Sequence, residues 1–454
     1  MQSIRQHNIY ANYIKKSFQL PQKINGDDDL WYTERITAEA INYTRFPVAG
    51  PVHINVPFTE PLYEFTNIDK LPAPKNIRCE LAESKLSAEY LNELLSIYTI
   101  SDKILIVVGL NNTSKLENVL QQLAESGRAL VLTESCSNVR SNSFLPAIDR
   151  LIDTLSTEEK KALKPDLVIT LGGMIVSKKI KTYLRAYKPK YHFSIKKDYK
   201  HQDTFKQLSH IIPADETYFL EQLNKAETDV NEVSKNYTQQ FLVIDKIRIK
   251  RQNKYLKNIE FCDFKVIETA LKHQPENSII QWGNSTPVRY ANLFGNIDVS
   301  IKNYANRGVG GIDGAVSTAA GFAYSVPEKI VTHVTGDLAF FYDSNALWND
   351  YLPNNLRIIL INNAGGNIFR IIPGPDKTEH LKTFFEHQHT QTAHKICEAF
   401  GVDYQAAENQ EELDNCLSNF YEKSETAKLI EVKTNGEYSA QVLRNYFKVL
   451  RTDS

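Results

Sequence analysis

The chain has 454 residues, too many for one compact core, so two or three domains are expected. Its composition, 42% hydrophobic and 24% charged with a net charge of -1, calls for neither nucleic acid nor an anionic membrane surface as a partner. No apolar run approaches the roughly 20 residues that span a bilayer, and the opening residues lack the apolar core of a secretory signal. The five cysteines, Cys79, Cys136, Cys262, Cys397 and Cys416, are scattered, which fits neither a disulfide framework nor a zinc site and suits a reducing, cytoplasmic setting.

Taken in chain order, His53–Val56 is predicted as a buried strand closed by Pro57 and Pro61. The polar stretch 71–100 reads as a linker. Lys103–Gly109 (KILIVVG) is too short for a helix and rich in β-branched residues, hence a strand. A helical stripe of Leu116, Val119, Leu120 and Leu123 follows, with Gly127 placed to cap it. Strands at Ala129–Thr133, Asp166–Gly173 and Tyr191–Ile195 complete an alternation that predicts a parallel, doubly wound sheet over residues 101–215. Residues 216–258 read as a second linker. Its basic run KIRIKRQNKYLK has no aromatic array beside it and reads as a solvated linker or helix face. Over 259–454 the α/β pattern resumes, with strands Ser278–Trp282, Lys329–Thr335, Arg357–Asn362 and Lys428–Thr434. Helices are predicted from about Ser285, at Ala315–Tyr324 and Asp343–Asp350, and near 393–400 and 410–421.

Two strand ends carry the chemistry. Asp337 stands just past one apolar strand and Asn363 just past the next, one crossover unit later. The carboxyl ends of parallel strands form the ligand crevice, so the two side chains are expected to be neighbours. A carboxylate, an amide oxygen and a backbone carbonyl make a hard oxygen set suited to magnesium, whose remaining positions go to phosphate and water. Gly336 leaves room for a diphosphate, and Gly365 allows an exposed carbonyl. Two ordinary β–α turns would carry the same letters, so the neighbouring segments matter. GNSTPVR (Gly283–Arg289) offers free N–H groups and a hydroxyl at a helix start. NRGVGGIDGAVSTAAG (Asn306–Gly321) is a glycine-rich loop before a helix that matches a dinucleotide fingerprint only loosely, and no P-loop motif exists.

GDL and the later NN resemble the thiamin diphosphate signature. With GNSTPVR, NRGVGGIDGAVSTAAG, NNAGGNIF and GPVHINVPFTEPLY, the chain resembles the 2-succinyl-5-enolpyruvyl-6-hydroxy-3-cyclohexene-1-carboxylate synthases of menaquinone biosynthesis over residues 1 to about 435. The resemblance implies an α/β thiamin diphosphate-binding fold: the end of a pyrimidine-binding domain (1–70), a middle domain (101–215) and a diphosphate-binding domain (259–454). It implies that Asp337, Asn363 and the Gly365 carbonyl hold magnesium, with manganese as its substitute. Gly336 and Ser285 would lie at the diphosphate, and Ile312 would prop the cofactor into its bent form. The implied reaction is decarboxylation of 2-oxoglutarate on the cofactor, then conjugate addition of the succinyl carbanion equivalent to isochorismate. Gln2, Arg289 and Arg307 match the family's substrate-binding residues, and Lys178 and Lys179 match a basic pair. That pair is more usually Lys-Arg, and a solvated helix face is the other reading of the two lysines. Phe369 and Ile372 match apolar residues on the substrate side. His387, His389 and His394 crowd one segment and read as exposed loop histidines rather than a metal cluster.

The match begins inside the pyrimidine-binding domain, so the glutamate that activates the cofactor in this family has no counterpart in the motif here, and no catalytic side chain is nominated. A shortened record, a split enzyme and a degenerate copy would each produce this, the first being expected because the other motifs are intact. Two further readings stay open: another thiamin diphosphate-dependent 2-oxo-acid decarboxylase or carboligase, and a non-catalytic subunit. Family members pair subunits, which implies a homodimer or homotetramer.

Overall fold

The computed structural model describes residues 4–59, 63, 73–80, 85–198, 200–226, 230–295 and 297–451. Gln2 lies outside the described residues. The chain divides into two compact units, Met1–Leu86 and Ser87–Ser454.

In the first unit, strands β1 (Ser17–Gln19) and β2 (His53–Asn55) pair in parallel, with Phe18 opposite Ile54. The helix Asp27–Arg45 lays Ile36 and Ala40 on Phe18 to make a small core. Residues 53–55 are half-buried rather than buried, because β1 is their one strand partner among the described residues.

Among the described residues the second unit contains two sheets. In the first, β3 (Ile104–Val108), β4 (Ala129–Leu132), β5 (Leu167–Leu171), β6 (Tyr191–Ile195) and β7 (His210–Ile212) lie in the order β4-β3-β5-β6-β7, every pair parallel. Strands β3, β4 and β5 are buried along their whole length, as covering both sheet faces requires. The second sheet is built from β8 (Ile279–Trp282), β9 (Lys302–Ala305), β10 (Val331–Gly336), β11 (Leu356–Asn362), β12 (Asp403–Ala407) and β13 (Lys428–Lys433). Its order is β12-β13-β11-β10-β8-β9, again parallel throughout. One face packs on the helices Asp263–His273 and Gly436–Arg451 through Phe264, Val266 and Tyr446. The other packs on the helix Ala315–Ser325 through Val316, Ala319 and Ala323.

The structure corrects several sequence expectations. The stretch read as a linker at 71–100 contains the helix Ala88–Ile100, capped by Ser87 and burying Leu94, Ile97 and Tyr98. The second supposed linker carries the helices Glu216–Lys225 and Glu232–Lys257. The basic run of the longer helix is only partly solvated. One polar face is buried, where Asp245 and Gln252 take the Arg150 guanidinium at 2.9 and 3.2 Å. Instead of Asp343–Asp350, the helix after β10 is Asp337–Tyr342, followed by a 3-10 turn at Ser344–Leu347. Asp343 breaks it by turning its carboxylate to Ser317 N and Oγ at 2.7 and 2.6 Å. All five cysteines are free. Among the described residues no helix is long and apolar enough to cross a membrane.

Candidate cation and anion site at the strand ends

Strands β10 and β11 are central neighbours, with Gly336 opposite Ile361, so the residues just beyond them meet at one end of the sheet. Asp337 starts its helix there and is only 2% exposed. Its Oδ1 accepts from Leu338 N at 2.7 Å, and its Oδ2 from Gly365 N at 2.9 Å. Burial pushes its carboxyl above the usual range, opposed by those two N–H groups and by His389. The chain past β11 turns sharply, with Ala364 at φ 63° and Gly365 at φ 147°. A Cβ on Gly365 would come within 2.7 Å of the Glu386 carbonyl, so both the backbone angle and the space demand glycine. At Gly336 a Cβ would meet nothing within 4 Å, which is open space in front of the strand end.

Asn363 presents an amide oxygen that is buried and has no hydrogen-bond partner. The oxygen of Asn367 is in the same state. Both residues, with Gly365, His389 and Thr434, line a cavity of about 500 Å³. Unpaired buried oxygens are costly, and a hard divalent cation is the partner they suit, with Asp337 beside them. The donor set therefore fits magnesium. Behind it lies Asp263, fully buried, which takes Asn363 Nδ2 at 2.9 Å and Thr434 Oγ1 at 2.6 Å.

Sequence reasoning missed Asp263, Asn367 and His389. Asp263 sits in no motif, and Asn367 lies within NNAGGNIF but was given no role there. His389 is no exposed loop residue: its side chain is 9% exposed, with Nε2 3.2 Å from Asp337 Oδ2 and its ring edge-on to Phe341 at 5.3 Å. His394 instead lies against Tyr404 at 4.9 Å. Among the described residues no group of three or more His, Cys, Asp or Glu side chains converges as metal ligands do.

The β8 end carries the segment in which the sequence offers free N–H groups and a hydroxyl. Gly283 approaches β10 closely, since a Cβ there would sit 3.0 Å from Val334 O. Half-buried Ser285, at φ 73°, opens the short helix Thr286–Ala291. Between them Asn284 ties down the glycine-rich loop, donating to Asn306 O and Gly311 O at 2.6 Å each and accepting from Arg307 Nη1 at 2.7 Å. Ile312 in that loop is half-buried.

Lys178, Lys179, Arg289 and Ile372 share one cavity of about 700 Å³, together with Arg444 and Lys448 from the C-terminal helix, which the sequence patterns did not flag. Arg289 and Arg307 each keep a buried Nε without a partner. Burial and the neighbouring Arg307 hold the Arg289 pKa below its ordinary value. Lys179 is committed to Asp153 at 3.1 Å and lies over the Phe447 ring, while Lys178 is exposed. The loop before these lysines is fixed by Glu134, which accepts from Val176 N and Ser177 N at 2.8 and 2.6 Å and is pushed up to about 7 by burial. Phe369 packs on Phe385 at 5.5 Å, outside the residues lining that cavity.

Residues 294–432 match the family model described as thiamine pyrophosphate enzyme, C-terminal TPP binding domain. Across 99% of its length the chain is 38% identical to a 2-succinyl-5-enolpyruvyl-6-hydroxy-3-cyclohexene-1-carboxylate synthase of Flavobacterium johnsoniae, covering 79% of that protein. It is 36% identical to the protein of the same description in Christiangramia forsetii, over 99% of this chain and 80% of the relative. For the one in Porphyromonas gingivalis the identity is 32%, over 100% and 79%.

Proposed function

This chain belongs to the 2-succinyl-5-enolpyruvyl-6-hydroxy-3-cyclohexene-1-carboxylate synthase family, and we propose that it decarboxylates 2-oxoglutarate with thiamin diphosphate and adds the succinyl unit to isochorismate. The observation that carries the reading is the buried, partnerless Asn363 oxygen, two residues before Gly365, whose N–H bonds the Asp337 carboxylate at the ends of adjacent parallel strands. In this reading Asp337, Asn363 and the Gly365 carbonyl hold magnesium or manganese. Gly336 and Ser285 receive the diphosphate, and Ile312 supports the cofactor's bent form. When bound, the cofactor supplies the carbon nucleophile and the electron sink for decarboxylation.

The chain's own residues bind and orient. Both substrates are carboxylate anions, which need fixed cationic donors. The unpartnered Nε groups of Arg289 and Arg307 support that role for these two residues. Lys178 and Lys179 extend the positive wall, and Ile372 and Phe369 supply apolar surface against the carbon skeleton. Gln2 completes the proposed set. We place the pyrimidine-binding part at 1–70, the middle domain at 101–215 and the diphosphate part at 259–454, in a cytoplasmic protein that pairs with a second copy. The exposed Leu30, Trp31 and Ile41 of the first unit support such a face.

The test is turnover of 2-oxoglutarate by the purified chain with thiamin diphosphate and magnesium, with and without isochorismate, product being read by mass spectrometry. Product formation that needs both substrates is expected. Carbon dioxide release that is indifferent to isochorismate would instead mark a different 2-oxo-acid decarboxylase.

A further inference from the structure

We propose that Asp263 is a positioning residue, which holds the side-chain amides of Asn363 and Asn367 so that both carbonyl oxygens turn away from its carboxylate, towards the strand-end cavity that both residues line. The inference rests on the reading of Asp337 and Asn363 as cation ligands. A carboxylate accepts hydrogen bonds and donates none, and the two oxygens of Asp263 divide between two tasks. Oδ1 accepts from Thr434 Oγ1 at 2.6 Å and from Ser439 Oγ at 3.0 Å. The Asp263 N–H donates to Ser439 Oγ at 3.1 Å, which leaves the hydroxyl proton for the carboxylate. Oδ2 accepts from Asn363 Nδ2 at 2.9 Å and, more weakly, from Asn367 Nδ2 at 3.5 Å.

An asparagine amide is nearly symmetric in shape but not in chemistry. With its NH₂ end on Asp263, each amide must aim its oxygen the other way. Asn363 Oδ1 and Asn367 Oδ1 are the ends left buried without a partner, and both residues line the roughly 500 Å³ cavity. If either amide turned over, its NH₂ would face the cation and its oxygen would face the Asp263 carboxylate. Both contacts would become repulsive. Asp263 therefore selects the amide orientation that a hard cation would require, while both of its own oxygens are taken by protein donors. Partners of this kind alter metal affinity by about 10–100-fold.

The probe is Mn²⁺, titrated into the full chain with thiamin diphosphate present, the free ion being read by electron paramagnetic resonance. Asp263→Asn is expected to weaken Mn²⁺ binding at least about 10-fold. Asp263→Asn/Asn363→Asp, which exchanges donor and acceptor across the same contact, is expected to recover most of that loss. Ser439→Ala touches only the Oδ1 side, so it is expected to lower the melting temperature and leave Mn²⁺ affinity unchanged. Wild-type Mn²⁺ affinity in folded Asp263→Asn, or no recovery in the exchanged pair, overturns the proposal. Should Asp263→Asn not fold, a Mn²⁺-loaded crystal structure decides, and an Asn363 amide turned away from Asp263 overturns it. Asp337→Ala separates the two readings. Unchanged Mn²⁺ binding there removes the cation site itself, whereas loss there beside wild-type binding in Asp263→Asn removes only the role of Asp263.

Discussion

Replacing Asp337 by alanine is expected to abolish the stabilisation that magnesium and thiamin diphosphate give the protein, while changing the unliganded protein little. The structure sets the size of both effects. In the unliganded chain the carboxylate is 2% exposed and accepts from two backbone N–H groups. Each such charged hydrogen bond contributes about 1.5–3 kcal/mol, but burying the carboxylate costs several kcal/mol. The two act in opposite directions, with burial the larger in raising the pKa, so they partly offset each other and the unliganded variant should fall within about 2 kcal/mol of the wild type. Ligand at 100 times its dissociation constant stabilises the wild type by about 2.7 kcal/mol. For a unit of several hundred residues that is a rise of roughly 3–4 °C in melting temperature. Differential scanning calorimetry with and without magnesium and thiamin diphosphate measures both quantities. An equal upward shift in the wild type and in Asp337→Ala would refute the assignment. A collapse of the unliganded variant would refute the partial offset.

Arg289→Gln removes a largely buried guanidinium whose Nε has no partner. Its loss should leave thermal stability unchanged or higher, while KM for one carboxylate substrate rises about 10–100-fold, the worth of a charged hydrogen bond; steady-state kinetics and calorimetry on one preparation check both. Acid should destabilise the second unit through His192 and His333, whose folded pKa values are each lowered to about 4 by burial. The unfolded chain then binds protons that the folded one does not, so stability present above about pH 6.5 is lost as pH falls towards 4. Urea titrations at several pH values should show His333→Gln flattening that decline; an unaltered slope would count against it. Arg357 is fully buried and donates to the carbonyls of Phe420, Asn354 and Glu422 at 2.6, 2.8 and 2.7 Å. Arg357→Met strands those acceptors and should cost about 3–5 kcal/mol by urea unfolding, and a loss under 1 kcal/mol would show that water reaches them.

The strands legible in the sequence were those buried on both faces. Ile104–Val108, Leu167–Leu171 and Leu356–Asn362 are predominantly apolar runs, and their few polar members, Thr170, Arg357 and Asn362, are buried with hydrogen-bond partners. The edge strands Lys302–Ala305 and Asp403–Ala407 were not found, since partial exposure admits Lys, Asn, Asp and Gln and erases the period. The C-terminal helix Gly436–Arg451, whose Arg444 and Lys448 line the cavity shared by Lys178 and Arg289, is not legible in the sequence.

The residue types of the candidate site, a carboxylate and an amide at two strand ends, were legible in the sequence alone. An acidic residue and an amide at the ends of two strands one crossover apart are expected at one crevice, and they meet here because β10 and β11 are neighbours in the sheet. Only the tertiary structure decided which way those groups face and what lies behind them. Asp263, Thr434 and Ser439 reach Asn363 from distant parts of the chain, and His389 folds back onto Asp337 from a segment that reads as a loop. Such contacts leave no periodicity, since what joins them is the cost of leaving a buried donor or acceptor unpaired, and that cost exists only once the core has closed around them.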